Sequence, residues 1–248
     1  MTCSPVKDNR SRKTVQWPDR LQLIERSDGN LNFEFQAIID AIPYYLIGLQ
    51  NTLLLTILGI GLSSILGMVC AVLRISSNRF IRIFLVAYIE LFRNTPIVAQ
   101  IFFLYFALPL IGIKVAAFNC GLIALVLHFN AYNIEVFRSG LEAVPRGLYE
   151  AGEALAFTYY QRLKLIIIPL ALRICLPSLV NNYVSLLKNT ALVSIIGVVE
   201  ITFVSQDIIA DNFTFLEMYS TLAVLYLILV FGLTWILRRI EKKYEVQM

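Results

Sequence analysis

Charge is what this sequence has least of. Only 15% of its 248 residues are Asp, Glu, Lys or Arg, against about 25% in a typical soluble domain. The shortage is concentrated. None of the four occurs from Ala41 to Leu73, from Asn94 to Ile113, from Val115 to Ile134 or from Met218 to Leu237. Histidine is reduced to His128 alone, which excludes a His-rich metal site. Cys3, Cys70, Cys120 and Cys175 are scattered, with no CxxC and no histidine at ligand spacing, so they read as small buried hydrophobes and no metal site is expected. No GxxxxGK[ST] occurs, so nothing in the chain cradles a nucleotide in the Walker manner. The polar first forty residues also lack the apolar core of a signal peptide.

What is present is apolar: 58% hydrophobic residues and a mean hydropathy of +0.72. Each uncharged run reaches the roughly 20 residues an α-helix needs to cross the hydrocarbon core. Where water is absent the backbone must satisfy itself, and helices do so within one segment. The expectation is an all-α integral membrane protein with about five spans, near 46–73, 83–108, 117–137, 165–187 and 218–237. Residues 1–40 form a polar tail, 41–243 the transmembrane domain and 244–248 a C-terminal tail. Between Leu31 and Tyr45, Phe35, Ile38, Ile39 and Ile42 recur at helical spacing, which predicts an interfacial amphipathic helix joined to the first span at a bend near Pro43. Gly48, Gly59, Gly61 and Gly67 in that span are expected to permit close helix packing; no strand precedes Gly59-Ile-Gly61, so it is not a nucleotide turn.

The loops orient the spans. Arg74, Arg79 and Arg82 follow the first span, Lys114 alone follows the second, and Arg138, Arg146, Arg162 and Lys164 follow the third. The next loop carries Lys188 with Glu200, Asp207, Asp211 and Glu217, and the tail carries Arg238, Arg239, Lys242 and Lys243. Basic residues alternate rich and poor, which puts the rich loops and the C-terminus in the cytoplasm and the N-terminus outside. The tail's Lys7, Arg10, Arg12, Lys13, Arg20 and Arg26 run against that orientation, and the later loops are given more weight. The same rule accounts for the net charge of +4 without nucleic acid as a partner.

Ionisable residues at membrane depth are costly and default to functional candidates. Glu90 and Arg93, three apart in the second span, can pair, as can Glu135 and Arg138 at the end of the third; Arg173 interrupts the fourth and Lys188 ends it. Two roles stay open for them: contacts to a charged substrate, or structural pairs that hold helices in register. Tyr105, Phe106, Trp235 and Tyr244 read as packing residues or interface anchors.

The loop 145–169 is unlike the rest. Glu150-Ala151-Gly152-Glu153-Ala154-Leu155-Ala156 is short and rich in small residues, with Ile166 and Pro169 beyond it. A helix of Ala and Gly has a thin profile that can enter a partner's groove, and Glu150 and Glu153 are expected near its positive N-terminal end. The order of these residues resembles the EAA loop of permease subunits of binding-protein-dependent ABC importers, with Ala156 where that family has Gly and Ile168 where it often has Leu. Further segments resemble the branch that imports histidine, arginine, glutamine or glutamate. They are Gly48-Leu-Gln-Asn-Thr-Leu53, Glu90-Leu-Phe-Arg-Asn-Thr-Pro96, Ala131-Tyr-Asn-Ile-Glu-Val-Phe-Arg138 and Leu187-Lys-Asn-Thr-Ala-Leu192. Asn94 replaces the usual Gly, and Asn189 and Ala191 replace Asp and Ser.

The resemblance implies a type I ABC importer fold in the bacterial inner membrane. Its implied partners are a second permease, the same or homologous, two cytoplasmic ATPases bound at Glu150–Ala156, and an extracytoplasmic binding protein that delivers the amino acid. ATP and Mg²⁺ would be used by the ATPases, and no cofactor is expected on this chain. Candidate pathway residues are Glu90, Arg93, Asn94, Thr95, Glu135, Lys188, Asn189 and Thr190. A self-contained secondary transporter is the rival; such folds commonly show internal repeats, and none is evident here. A channel is a further rival, without a filter-like run to support it.

Overall fold

The computed structural model describes Phe33 and residues 35–76 and 79–244. The polar tail, with its six basic residues, and the final four residues lie outside that range. The described chain beyond Phe33 belongs to one compact unit beginning at Phe35. Among the described residues it is helical, with no strand. The helices are α1 (Phe35–Ser76), α2 (Arg79–Asn94), α3 (Ile97–Ile111), α4 (Ala117–Glu142), α5 (Arg146–Ala154), α6 (Tyr159–Ile196), α7 (Ile201–Asn212) and α8 (Phe215–Tyr244). α1, α4, α6 and α8 are long and apolar enough to cross a membrane, and α2 with α3 makes a fifth span if the bent pair counts as one.

Two expectations about the spans change. The interfacial helix and first span are a single 42-residue helix with Pro43 inside it. At 1.5 Å per residue that is about 63 Å, twice the hydrocarbon thickness, so its excess length continues past the core as helix. The second span is broken: α2 and α3 meet at 106°. Proline supplies no N–H and disfavours helical backbone in the residue before it, so Thr95-Pro96 ends α2, and Pro96 takes up φ −57°, ψ 133° at the start of α3.

α4 is the central helix, buried over more than half its span, whereas the apolar window of α8 is not buried against the rest of the chain. Three apolar clusters run along the bundle. At one end Ala41 and Tyr45 of α1 meet Ile201, Val204 and Ile209 of α7 and Met218 of α8. In the middle Leu55 packs with Cys120, Ala124, Leu125 and Phe129 of α4 and with Leu186 and Val193 of α6. At the other end Ala71 meets Ile134, Phe137 and Leu141 of α4 and Ile167, Ala171 and Cys175 of α6. Cys120 and Cys175 are buried and free, and Cys70 is free. Gly48, Gly59 and Gly67 face neighbouring helices closely, but Gly61 faces open space.

Polar side chains also join the helices. The Asn133 amide donates to Ser63 Oγ of α1 at 3.1 Å, and Asn182 of α6 donates to Asn133 Oδ1 at 3.2 Å. Tyr183 Oη and Ser64 Oγ lie 2.6 Å apart. Inside an apolar bundle such satisfied groups fix which helix faces meet.

Candidate functional site

The predicted residues fall in three places. The first is the end of the bundle reached by the C-termini of α1 and α4. Arg74, in the last turn of α1, is ion-paired with Glu135 of α4. Arg138 binds the other oxygen of Glu135 at 2.9 Å and Glu142 at 2.6 Å. Sequence spacing pointed to Arg138 but not to Arg74, which lies 61 positions away. The Glu135 carboxylate is thus held by two guanidinium groups and ties α1 to α4.

Beyond this network lies α5. It starts at Arg146 after Pro145, earlier than expected, with no acidic residue in its first turn. Glu150 therefore sits mid-helix and Glu153 in the last turn, where the helix dipole is unfavourable to an anion; Arg162 of α6 pairs with Glu153. Glu150, Ala151, Glu153, Ala154 and Leu155 are exposed, and only Gly152 is buried. A Cβ on Gly152 would lie 2.8 Å from Arg162 Cγ and 3.4 Å from Ile166 Cδ1. The thinness at Gly152 therefore serves contact with α6 of the same chain. Tyr149 is half-buried and donates to the Leu141 carbonyl at 3.3 Å; burial raises its phenol pKa. Just beyond α5 stands Ala156, whose φ of 55° is left-handed. Its N–H bonds the Glu153 carbonyl at 2.8 Å, and that of Phe157 bonds Gly152 at 3.0 Å, closing the last turn as glycine usually does.

The second place is the α2–α3 break. The expected Glu90–Arg93 pair is replaced by other contacts. Arg93 lies over the Tyr132 ring, 5.1 Å from its centroid. Glu90 accepts from the Asn94 amide at 2.7 Å, and Thr95 Oγ1 donates to the Leu91 carbonyl at 2.6 Å. Glu90 and Arg93 are both exposed. Gln100 of α3 donates to the carbonyls of Phe92 at 2.9 Å and Thr95 at 3.1 Å, capping α2, and its amide nitrogen is 3.1 Å from His128 Nδ1. Leu91, Phe92, Thr95, Gln100 and Phe103 help line an apolar hollow of about 470 Å³ there.

The third place is the far end of α6. Lys188 is exposed and lines an open groove of about 390 Å³ with Ala191 and with Ala223, Tyr226 and Leu227 of α8. The Asn189 amide donates back to Ser185 at 2.8 Å, and buried Thr190 donates to Leu187 at 2.7 Å. Nearby lies a residue that sequence reasoning missed. Glu200 is fully buried; it caps α7 by accepting from the Phe203 N–H at 2.8 Å, and it accepts from Tyr226 Oη at 3.0 Å. Burial pushes its pKa up to about 7. The available signal was a lone acid in the apolar stretch 191–204. The Gly48–Leu53 segment docks on the backbone around it: Asn51 donates to the Val199 carbonyl at 2.7 Å and the Ile201 N–H donates to Thr52 Oγ1 at 3.3 Å. A Cβ on Gly48 would meet the Ile201 nitrogen at 3.0 Å. No cluster of metal-ligating side chains occurs among the described residues.

The family described as "Binding-protein-dependent transport system inner membrane component" matches residues 63–246, which is well over half of the chain. The chain belongs to that family. This inner membrane permease is 35% identical to the glutamine transport system permease protein GlnP of Escherichia coli K12 over 87% of its own length and all of that protein's. It is 29% identical to the probable glutamine ABC transporter permease protein GlnM of Bacillus subtilis, over 84% and 98%. Among solved structures it superposes on a chain of an amino acid ABC transporter with a TM-score of 0.77 at 30% identity, covering 85% of this permease and 98% of that chain. A chain of the inward-facing MetNI methionine ABC transporter matches with a TM-score of 0.71 at 18% identity, over 82% and 97%, which extends the likeness of fold alone. Family membership implies a separate ATPase and a binding protein in the working assembly.

Proposed function

We propose that this permease forms the membrane pathway of an ATP-driven importer for polar amino acids, delivered by an extracytoplasmic binding protein. Two permeases, identical or homologous, enclose the pathway, and two ABC ATPases dock on their α5 helices. ATP and Mg²⁺ act in those subunits, and this chain carries no cofactor and hydrolyses nothing. The chain sits in the bacterial plasma membrane with its N-terminus outside and its C-terminus in the cytoplasm.

The observation that carries this reading is α5 itself. It offers Glu150, Ala151 and Ala154 to solvent, at the end of the bundle where Arg74, Arg138, Arg146 and Arg162 gather. A basic end faces the cytoplasm, where an ATPase would be. ATP binding then closes the ATPase pair, displaces the α5 helices and reorients the spans.

The relatives named for glutamine support an amino acid as the passenger. Exposed Arg93 and Lys188 supply cations for its carboxylate, and Glu90, Asn94, Thr95 and Asn189 supply acceptors for its ammonium and side chain; Thr190, buried and bonded to the Leu187 carbonyl, is assigned to the framework. Glu135, already held by Arg74 and Arg138, is assigned to the framework. The test is uptake of labelled glutamine into vesicles holding the permease, its ATPase and its binding protein. ATP-dependent uptake that stops when either partner is omitted is expected. Uptake that continues without the ATPase would make the chain a secondary transporter.

A further inference from the structure

We infer that Arg162 is the positioning residue that makes α5 and α6 move as one piece. The inference rests on the role given to α5 above and concerns how displacement of that helix reaches the bundle. α5 and α6 are joined by only four residues, 155–158, and both helix ends are fastened. The α5 end is closed by the Ala156 and Phe157 amides. The α6 start is closed by a reciprocal cap, in which Thr158 N–H donates to Gln161 Oε1 at 2.8 Å and Gln161 N–H donates to Thr158 Oγ1 at 3.4 Å. Such a box satisfies the free donors of the first turn.

These caps stiffen the two helix ends; they do not fix the angle between them. Arg162 crosses that angle. Its Cγ and Cδ lie 2.8 and 2.9 Å from where a Cβ on Gly152 would stand, so its stem fills the space that the glycine leaves. Its guanidinium then reaches the Glu153 carboxylate. The arginine side chain is largely covered while the glutamate remains mostly exposed. An ion pair open on one side adds little stability by itself. The fixed fork of the guanidinium on a buried stem instead sets an orientation. Gly152 and Glu153 are consecutive, so one arginine grips α5 at two adjacent points. Two points fix rotation of α5 about the link as well as distance.

The experiment uses the complete complex in vesicles, with uptake and ATP hydrolysis measured in the same sample. Arg162→Met keeps the stem and removes the fork. The expected result is that the ATPase still co-purifies and that uptake per ATP hydrolysed falls about tenfold, within the usual range of a coupling free energy. Arg162→Lys, which keeps the stem and the charge but not the fork, should fall between wild type and Arg162→Met. Unchanged uptake per ATP in Arg162→Met overturns the inference. So does loss of the ATPase from the complex in both Arg162→Met and Arg162→Lys, which would make the pair structural only. A wild-type complex that hydrolyses ATP without importing any amino acid overturns the import reading instead, before any variant is made.

Discussion

Tyr226 of α8 donates its hydroxyl to the carboxylate of Glu200 at 3.0 Å, in a site where Glu200 is fully buried. That bond joins the α6–α7 link to the final span, and it sets a pH dependence. Burial raises the Glu200 pKa from 4.5 to about 7. The folded state therefore holds a proton there that the unfolded chain has released, so stability is greatest below about pH 4.5 and falls as pH rises through about 7. The loss is on the order of 3 kcal/mol. Thermal unfolding of the solubilised complex should show that slope, and Glu200→Gln should flatten it. A slope that survives Glu200→Gln assigns it to another group.

A second expectation concerns Ala156. At φ 55° it occupies backbone where glycine is unstrained. Ala156→Gly should stabilise the complex by about 1 kcal/mol, because the strain removed outweighs the entropy that glycine adds to the unfolded chain. A rise in melting temperature with uptake retained is the expected result, and a fall would mean that the Ala156 methyl packs usefully.

Glu135 and Arg93 should separate cleanly. Removing the charge of Glu135 leaves Arg74 and Arg138 facing each other without their shared carboxylate, which costs about 1–3 kcal/mol for a part-buried network. Glu135→Gln should therefore reduce folding yield and assembly. Arg93 is exposed over Tyr132, so Arg93→Ala should leave assembly intact and lower substrate-stimulated uptake. Detergent-extracted yield beside uptake checks both, and the reverse outcome would exchange the two roles.

On α5, bulk belongs at Ala151, which is exposed, and not at Gly152, which is filled by Arg162. Ala151→Trp should weaken ATPase docking about tenfold or more, since overpacking a fitted contact costs about 1–3 kcal/mol. Arg146→Trp, at the exposed start of the same helix, should be milder. Quantitative pull-down of the ATPase decides, and equal binding by all three proteins would remove α5 from the docking surface.

Orientation is tested by single cysteines in a Cys-free background. Positions Arg79, Arg146 and Lys243 should be labelled only from the cytoplasm, and Asn119 and Asp211 only from outside; all five are exposed in the chain. Labelling of position 146 from outside would invert the topology.

Span positions were legible because hydrophobic runs reflect solvent, and the span expected near 117–137 needed no knowledge of its neighbours to fall inside Ala117–Glu142. The α2–α3 break was legible in principle, since Pro96 cannot continue a helix, but the uncharged run across it concealed the turn. Pro43 carried the same signal with the opposite outcome, because α1 continues through it. Pairings were the least legible. Spacing along one helix suggested Glu90 with Arg93 and Glu135 with Arg138, and only the second pair formed. The partner that completes Glu135 comes from another helix, and a one-dimensional pattern carries no trace of which helices touch. The inward face of Gly152 was hidden for the same reason: composition gives the thinness of a helix and not the side on which it is used.

α6 runs 38 residues from Tyr159 to Ile196, about 57 Å at 1.5 Å per residue. With its base fastened to α5 as inferred from Arg162, it would act as a long arm with a short handle. A pivot of only about 5° at the base would sweep its tip through about 5 Å, by the geometry of a rod of that length. Lys188, Asn189 and Thr190 sit near that tip. Under the coupling inferred for Arg162, a small stroke at one face of the membrane would be geared up into a displacement of side-chain size at the other.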